Sequence, residues 1–314
     1  MSTVKAPRTE AHRTMRNRMS RVRLSSFGFY LAVGFLLALV IAAITQPLLV
    51  SLGLMYSPEQ QDLLLRNCPP GIAPDGSFHL LGTDHLGRDV LSRIVRAAQF
   101  SLAVGALTVI CSLVLGVVIG LLAGYYRGAV ESVFMRLTDV FMSIPGLLLA
   151  LFVLYVLGGG FVNVALVLAL TRWPVVARVT RAAVLSLRER QFVLAAHTAG
   201  ASQPRILFRE ILPNLYPSLV VLGTLEFTRA MLTEAGLSFL GFGIKPPEAS
   251  WGLMLAQARP YIDSAWWLIV FSGLAITLTA LAVNSLSGRV GMLVDPQLRS
   301  QIRTHARRRN RTVL

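Results

Sequence analysis

The stretch that decides the fold is Arg190-Gln-Phe-Val-Leu-Ala-Ala-His-Thr-Ala-Gly-Ala-Ser-Gln-Pro-Arg-Ile-Leu-Phe-Arg-Glu-Ile-Leu-Pro-Asn214, a polar segment between two long apolar runs. Gly200 is expected to end one short helix in a left-handed conformation, and Ser202 is expected to cap the next. Pro204 is tolerated in a first helical turn, and Pro213 is expected to end the second helix. The sequence therefore predicts a helix, a bend and a second short helix.

The second predicted helix mixes apolar and charged side chains. The apolar ones are Ile206, Leu207, Phe208 and Ile211, and the charged ones are Arg205, Arg209 and Glu210. Such a mixture is typical of an element that meets another protein at a membrane face. A simple connection between two apolar runs would not need it.

The composition indicates a polytopic membrane protein, because 54% of the 314 residues are hydrophobic and only 14% are charged. Runs of about 20 apolar residues are long enough to cross a bilayer. Six such spans are predicted, at approximately 27–50, 98–123, 137–157, 161–183, 215–235 and 265–287.

The distribution of basic residues sets the expected orientation. With a cytoplasmic N-terminus, 23 of the 30 Lys and Arg residues fall in segments assigned to the cytoplasm. The positive-inside rule therefore places both termini in the cytoplasm. The basic arm at 1–26 and the basic tail at 288–314 are interpreted as topology determinants, either held at the anionic leaflet or disordered. Neither has the aromatic or groove-reading context of a nucleic-acid site.

The longest predicted external segment, 51–97, contains the polar run Leu81-Gly-Thr-Asp-His-Leu-Gly-Arg-Asp-Val-Leu-Ser-Arg93. Asp89 is expected to cap a helix that begins at Val90 and to pair with Arg93 one turn later. The group Asp84, His85 and Asp89 has two interpretations, a metal site or a capped turn with a charged face. The capped turn is favoured, and no metal site is predicted.

The second external segment, 236–262, is too apolar for a solvated loop. We expect it to re-enter the membrane, with Phe239, Phe242 and Trp251 at the interface. Irregular backbone at membrane depth must line a cavity or be buried in protein, so the segment points to a pathway.

Three charged residues, Glu226, Arg229 and Glu234, lie in the fifth predicted span. Glu226 and Arg229 are three residues apart and are expected to pair on one helix face. The pair has two interpretations, a wall that recognises zwitterionic substrates or a structural pair within the bundle. The structural interpretation is favoured.

Several of these motifs occur together in one family. Ala195-Ala196-x-x-x-Gly200 followed by Leu212-Pro213 resembles the coupling motif of the transmembrane subunits of bacterial ATP-binding-cassette importers. The match extends over residues 80–297, through the 81–93 run, Glu234-Ala-x-Leu-Ser-Phe-Leu-Gly241, Pro246-Pro247, Ser250-Trp251-Gly252 and Asp295-Pro296. The chain resembles the C-type permease of the dipeptide, oligopeptide and nickel branch. It departs at Leu194, where the motif usually has glutamate, and at Glu210, where it has isoleucine.

The resemblance implies an all-α polytopic membrane protein with six transmembrane helices and the type I ABC importer permease fold. It also implies a location in the bacterial plasma (inner) membrane and a role as half of a pathway that imports di- or oligopeptides. The implied partners are a homologous second permease, two ATPase subunits or a fused ATPase, an extracytoplasmic substrate-binding protein and the lipid bilayer. No nucleic acid is expected.

The chain is not expected to be an enzyme. It has no Gly-x-x-x-x-Gly-Lys-[Ser/Thr] phosphate loop. No cofactor is expected on this chain, and ATP and Mg would belong to partner subunits. The predicted layout is an arm at 1–26, a first helix at 27–50, an external segment at 51–97, a permease core at 98–287 and a tail at 288–314. The core includes a coupling segment at 190–213 and the re-entrant segment at 236–262.

The resemblance also gives three groups of candidate site residues. Contacts to the ATPase are expected from Leu194, Ala195, Ala196, Gly200, Ser202, Arg205, Phe208, Glu210, Leu212 and Pro213. The pathway or its gate is expected to include Glu226, Arg229, Glu234, Ser238 and Phe239. Docking of a binding protein is expected at Asp84, Arg88, Asp89, Pro246, Pro247 and Trp251.

Other functions stay open at this point. The same role could serve nickel chelates, glutathione-like compounds or oligosaccharides. A secondary carrier that works alone would need inverted repeats of interrupted helices, which the sequence does not display. A membrane-bound enzyme would need a catalytic constellation, and the five histidines and two cysteines form none.

Overall fold

The computed structural model describes residues 8–294, with side chains described over 28–287. The predicted features at 1–7 and from Asp295 onward, including Asp295-Pro296, lie outside the described residues. The helices are α1 Arg8–Ser51, α2 Val90–Tyr126, α3 Gly128–Ser143, α4 Gly146–Leu157, α5 Phe161–Arg188, α6 Gln191–Thr198, α7 Gln203–Arg205, α8 Leu212–Phe239, α9 Trp251–Ala258 and α10 Trp266–Val294. Shorter elements are 3₁₀ turns at Leu63–Leu65 and Arg259–Tyr261, a π-helical turn at Ile206–Ile211, and strands β1 Gly71–Ile72 and β2 Phe78–His79.

Five helical stretches of the described chain are long and apolar enough to cross a membrane, at Gly28–Ser51, Val90–Tyr126, Phe161–Arg188, Gln203–Phe239 and Trp266–Ser287. The sixth span is broken, because α3 and α4 meet at an angle of 82°. Pro145 lies at this break and has no N–H to continue a helix. Taken as one broken span, α3 and α4 complete the six predicted crossings.

The helix α1 extends back to Arg8, through most of the basic arm. No glycine or proline interrupts residues 8–27, so nothing in the local sequence stops the helix there. The helix therefore continues into the basic arm beyond the first predicted span at 27–50.

Helices α2 and α5 approach each other closely along a stripe of small residues. Gly116, Gly120 and Gly124 are spaced four apart on α2 and face α5. A Cβ atom on Gly120 would lie 2.5 Å from the carbonyl oxygen of Ala177. Small residues at this spacing let two membrane helices pack backbone to backbone, so the stripe fixes the α2–α5 pair.

The helix that was expected to stop at Pro213 continues. From α7 the chain passes through the π-helical turn Ile206–Ile211 into α8, and Pro213 lies in the first turn of α8. A proline removes one backbone donor, and the π turn shifts the hydrogen-bond register just before it, with Leu212 N donating to Leu207 O. Residues 203–239 therefore form one continuous span, and the prediction of a helix end at Pro213 is wrong.

Residues 52–89, here called the external cap, fold against the bundle with a small core of Leu65, Cys68 and Ala73. Strands β1 and β2 pair antiparallel with Gly71 opposite His79, a hairpin that the sequence did not predict. Gly87 adopts φ +72°, and a Cβ there would lie 1.6 Å from Asp62 O. Only glycine fits this close contact between the 81–93 motif and the turn at Asp62.

Helix α9 packs on α8, α10 and α2 and belongs to the main core. Trp251 at its start is fully buried, and its indole N–H donates to Ile94 O at 3.1 Å. The placement of Trp251 at the membrane interface is therefore wrong. The apolar character of this segment reflects burial within the protein.

Candidate functional site

The coupling segment, residues 190–213, begins with α6 and turns at Gly200. Gly200 adopts φ +76° with no other atom near its missing side chain, so the turn depends on backbone conformation alone. Ser202 occupies the N-cap position of α7, but its side chain accepts no capping hydrogen bond. The predicted position of this cap is confirmed, and the predicted side-chain bond is wrong.

The coupling segment divides into a buried side and an exposed side. Val193, Ile206 and Ile211 are fully buried in a cluster that also contains Tyr125 of α2 and Leu215 of α8. Ile206, Leu207 and Ile211 therefore hold the segment to its own chain and are not available to a partner.

The exposed side carries most of the predicted contact residues. Leu194 is 52% exposed and Phe208 is 64% exposed. Ala195, Gly200, Ser202, Arg205 and Pro213 are also exposed, while Ala196, Glu210 and Leu212 are half-buried. Two large apolar side chains on an accessible surface indicate a contact site for another molecule.

Two side chains, one from the coupling segment and one from α5, contact the end of α2. The ring of His197 stacks on Tyr125 with an interplanar angle of 8°, and its Nε2 lies 3.4 Å from the Tyr125 hydroxyl. Arg188 donates to the carbonyl oxygen of Tyr125 at 2.9 Å. His197 therefore joins α6 to the C-terminal end of α2, and Arg188 joins α5 to the same end.

Midway along α8 lies the central charge cluster, formed by Glu226, Arg229 and Arg172. Glu226 is buried, and its carboxylate lies 3.2 Å from the guanidinium of Arg229. The predicted pair of Glu226 and Arg229 is confirmed. Arg172 of α5 adds a second guanidinium 3.8 Å from Glu226, a partner that the sequence did not reveal because it lies 54 residues away. Arg172 therefore belongs to the span and not to the cytoplasmic arginines.

Glu234 is fully enclosed near the external end of α8. It accepts hydrogen bonds from Ser238 at 2.6 Å and from Ser101 of α2 at 3.3 Å. Ser238 Oγ in turn accepts from the backbone N–H of Ile244. Glu234 and Ser238 therefore connect α2, α8 and the loop after α8, and in this structure neither side chain reaches an open pathway. Phe239 is 37% exposed, with Arg259 stacked over its ring.

The charged residues of the 81–93 motif bond to one another inside the external cap. Asp84 accepts from Arg88 at 2.8 Å and also pairs with Arg93. Arg93 further donates to Gln257 of α9 at 3.0 Å. The predicted ion pair of Asp89 with Arg93 is wrong, because Asp84 takes the guanidinium of Arg93.

Asp89 caps α2 as predicted, accepting from the backbone N–H of Ser92 at 2.8 Å. Its other oxygen lies 2.9 Å from Nδ1 of His79, a buried partner that the sequence did not indicate. His85 instead stacks on Tyr261, so the group Asp84, His85 and Asp89 is dispersed. Among the residues whose side chains are described, no group of three His, Cys, Asp or Glu residues could hold a metal ion.

Most of the predicted docking residues are not on the surface. Asp84, Asp89 and Trp251 are buried and Arg88 is 9% exposed, whereas Pro246 and Pro247 are exposed. Burial leaves these four side chains almost no surface for a partner, and their role in docking stays a prediction. They bond to the chain's own helices and loops beneath the surface.

His85 and Tyr261 join the external cap to the loop after α9. Their rings stack with centroids 5.5 Å apart, and Arg66 donates to the Tyr261 hydroxyl at 3.2 Å. Partial burial lowers the pKa of His85, and the nearby Asp84 opposes this effect. The neutral imidazole is therefore favoured in the folded cap.

The bundle has six spans, one of them broken. Its charges are paired at mid-depth, and an apolar surface is accessible at one end. Together these features define a multi-pass transport subunit. The chain belongs to the family described as the binding-protein-dependent transport system inner membrane component, whose pattern matches residues 116–300. It is therefore a component of the inner membrane.

Curated relatives and solved structures resemble the chain. It is 40% identical to the di/tripeptide transport system permease protein DppC of Pseudomonas aeruginosa, over 85% of this chain and 87% of the relative. It is also 40% identical to the nickel transport system permease protein NikC of Escherichia coli, over 78% of this chain and 87% of the relative. The MetNI methionine ABC transporter, solved in inward-facing conformations, matches with a TM-score of 0.56 at 18% identity, over 65% of this chain and 97% of that chain. The predicted type I importer permease fold is confirmed.

Proposed function

We propose that this chain forms half of the translocation pathway of an ATP-driven importer of di- or oligopeptides. A homologous second permease would complete the pathway, two ATPase subunits or a fused ATPase would bind the cytoplasmic side, and an external binding protein would deliver the cargo. The observation that carries the proposal is the continuous helix 203–239, which runs from the exposed Phe208 to the central charge cluster.

The coupling segment is built to move as one body with the helices. Its buried residues share a cluster with α2, α5 and α8, which includes Leu121, Val184 and Leu215. Well-packed clusters of this kind transmit displacement with little deformation. A shift of the exposed residues Leu194 and Phe208 would therefore be passed to the spans, and a partner that changes shape could reorient the pathway.

The energy for transport would come from the partner subunits. The sequence has no phosphate loop of the Walker type, so ATP and Mg²⁺ would be held elsewhere. The coupling residues of this chain would contact the ATPase surface and respond to its closure. A stand-alone carrier would have no need for an exposed apolar surface of this kind.

A peptide cargo is supported by the identity to the di/tripeptide permease, which extends over most of both chains. The nickel permease is equally similar by identity, so nickel chelates are the second candidate. On the outside, the exposed Pro246 and Pro247 and the surface of the external cap would receive the binding protein. Asp84, Arg88, Asp89 and Trp251 would support that surface from within.

The test is uptake of a radiolabelled tripeptide into proteoliposomes that contain the chain, its partner permease, the ATPase subunits and the binding protein. ATP-dependent uptake is expected from the complete complex and none from the chain alone. Phe208→Ala should lower uptake about tenfold or more, since exposed aromatic anchors dominate protein contacts. Tyr30→Ala, which removes a similarly exposed ring from helix α1, is the control and should retain uptake.

Three results would contradict the proposal. Uptake by the chain alone, driven by an ion gradient, would indicate a secondary carrier. Import of a nickel chelate without import of peptide would reassign the cargo. Equal losses in the Phe208 and Tyr30 variants would contradict a special role for the coupling surface.

A further inference from the structure

Arg229 is charged, exposed and halfway across the membrane. It lies ten residues from the external end of α8 at Phe239, and Arg172 lies eleven residues from the start of α5 at Phe161. At 1.5 Å per residue both are about 15 Å from those ends, near the middle of a hydrocarbon layer of roughly 30 Å. The side chain of Arg229 is nevertheless 58% exposed.

The central charge cluster has a net charge of plus one, because its two arginines share a single glutamate. Glu226 is the only carboxylate within 4 Å of either arginine among the described side chains, and it is shared between them. Arg172 also donates to the hydroxyl of Thr233 at 3.3 Å. Glu226 Oε2 and Arg172 Nε are both enclosed and make no hydrogen bond. The cluster therefore has an excess cation and spare hydrogen-bonding capacity.

Lipid is an unsuitable neighbour for Arg229. A charged side chain facing hydrocarbon at mid-depth is costly, about 2.5–3.5 kcal/mol on insertion scales, and such residues face cavities or paired groups. The residues around Arg229 on the same face, Leu225, Leu232 and Gly236, are exposed as well. This face of α8 must therefore border a polar space or another subunit.

We propose that Arg229, with Arg172 behind it, forms a carboxylate-binding site in the translocation pathway that receives the C-terminal carboxylate of a peptide. This inference rests on the proposed import function and names the chemistry of the cargo. Arginine suits the role because its planar guanidinium binds a carboxylate through two parallel hydrogen bonds. Glu226 holds Arg229 in place through one oxygen and keeps the net charge at one, which is low enough to release the cargo. A bare divalent cation would be repelled at this point.

The experiment uses the complete transporter in proteoliposomes. This chain carries Cys68→Ala and Cys111→Ala, and the cysteines of the partner subunits are also removed. Arg229→Cys is then treated with thiosulfonate reagents that attach an aminoethyl, a methyl or a sulfonatoethyl group. Uptake of a labelled tripeptide should fall about tenfold in Arg229→Cys, the factor for one lost charge-assisted contact. The positive adduct should restore at least half of the uptake. The neutral adduct should leave uptake low, and the negative adduct should lower it further.

Thr233→Cys, one turn along the same face, is the second variant and keeps Arg229 in place. A negative adduct there should lower uptake and a positive adduct should not. Equal uptake with all three adducts at both positions, or no reaction of either cysteine, would overturn the inference. The cysteine-free parent separates this result from the proposed function: if the parent imports no peptide, the import proposal itself fails.

Discussion

The external cap and the coupling segment both carry a short charged motif, but the two motifs use their side chains in opposite ways. In the cap, Asp84 bonds to Arg88 and Arg93, and Asp89 bonds to His79. In the coupling segment, the structure buries the aliphatic side chains and leaves Leu194 and Phe208 exposed. The charged external motif bonds within this chain, whereas the coupling motif leaves an apolar surface accessible.

The comparison shows that a motif shared with a family does not by itself locate a contact surface. Both stretches stand out in the sequence as polar runs. Burial separates them, because a side chain that is fully enclosed cannot touch a partner. The predictions below test this division, from the largest effect to the smallest.

Asp84→Ala should cause the largest loss of stability. It leaves the buried guanidinium of Arg93 and the nearly buried one of Arg88 without their carboxylate. Removal of one partner from a buried ion pair typically costs about 3–5 kcal/mol. Thermal unfolding in detergent should show a clearly lower midpoint than for Glu59→Ala, an exposed acidic residue in the same cap. Equal midpoints for the two variants would show that the cap does not depend on its internal ion pairs.

Gly200→Val should affect transport more than stability. A non-glycine residue in a left-handed conformation costs roughly 1–2 kcal/mol, and no neighbouring atom obstructs the new side chain. Gly241→Val is the matched control, since Gly241 has φ +88° and is equally open, but lies on the external side. Both variants should lower the unfolding midpoint to a similar degree. Only Gly200→Val should uncouple ATP hydrolysis from uptake, and equal transport in both would contradict the role of this turn.

Acidification should weaken the contact between His85 and Tyr261, with a small effect. The pKa of His85 is lowered in the folded state, so the unfolded chain binds the proton more readily. Stability should therefore fall as the pH drops below about 6.5, the ordinary value for histidine. The unfolding midpoint of the wild type should decrease more between pH 7 and pH 5 than that of His85→Gln. A larger decrease of the unfolding midpoint in His85→Gln than in the wild type would contradict this prediction.

The sequence predicts the spans well because hydrophobic length is a local property. The break at Pro145, the left-handed turn at Gly200 and the cap at Asp89 are also local, and each follows from one residue type. The continuation through Pro213 was missed because the π turn depends on packing of Ile206 and Ile211 against α2 and α5. Local proline chemistry alone favours a helix end.

The partners of the charged residues were mostly missed, because they are set by tertiary contacts. Arg172 meets Glu226 across two helices, and His79 meets Asp89 through the hairpin β1–β2. Nothing in the spacing of these pairs distinguishes them from other polar residues. The only pair predicted correctly, Glu226 with Arg229, lies on one helix at a spacing of three.

The most direct test of the division between the two regions is labelling of Phe208→Cys in the cysteine-free chain. The thiol reagent is applied to inside-out membrane vesicles, with and without the ATPase subunits. We predict rapid labelling of the chain without the ATPase and about tenfold slower labelling when the ATPase subunits are bound, since a contact excludes solvent from its centre. An unchanged labelling rate would contradict the assignment of this surface to a partner.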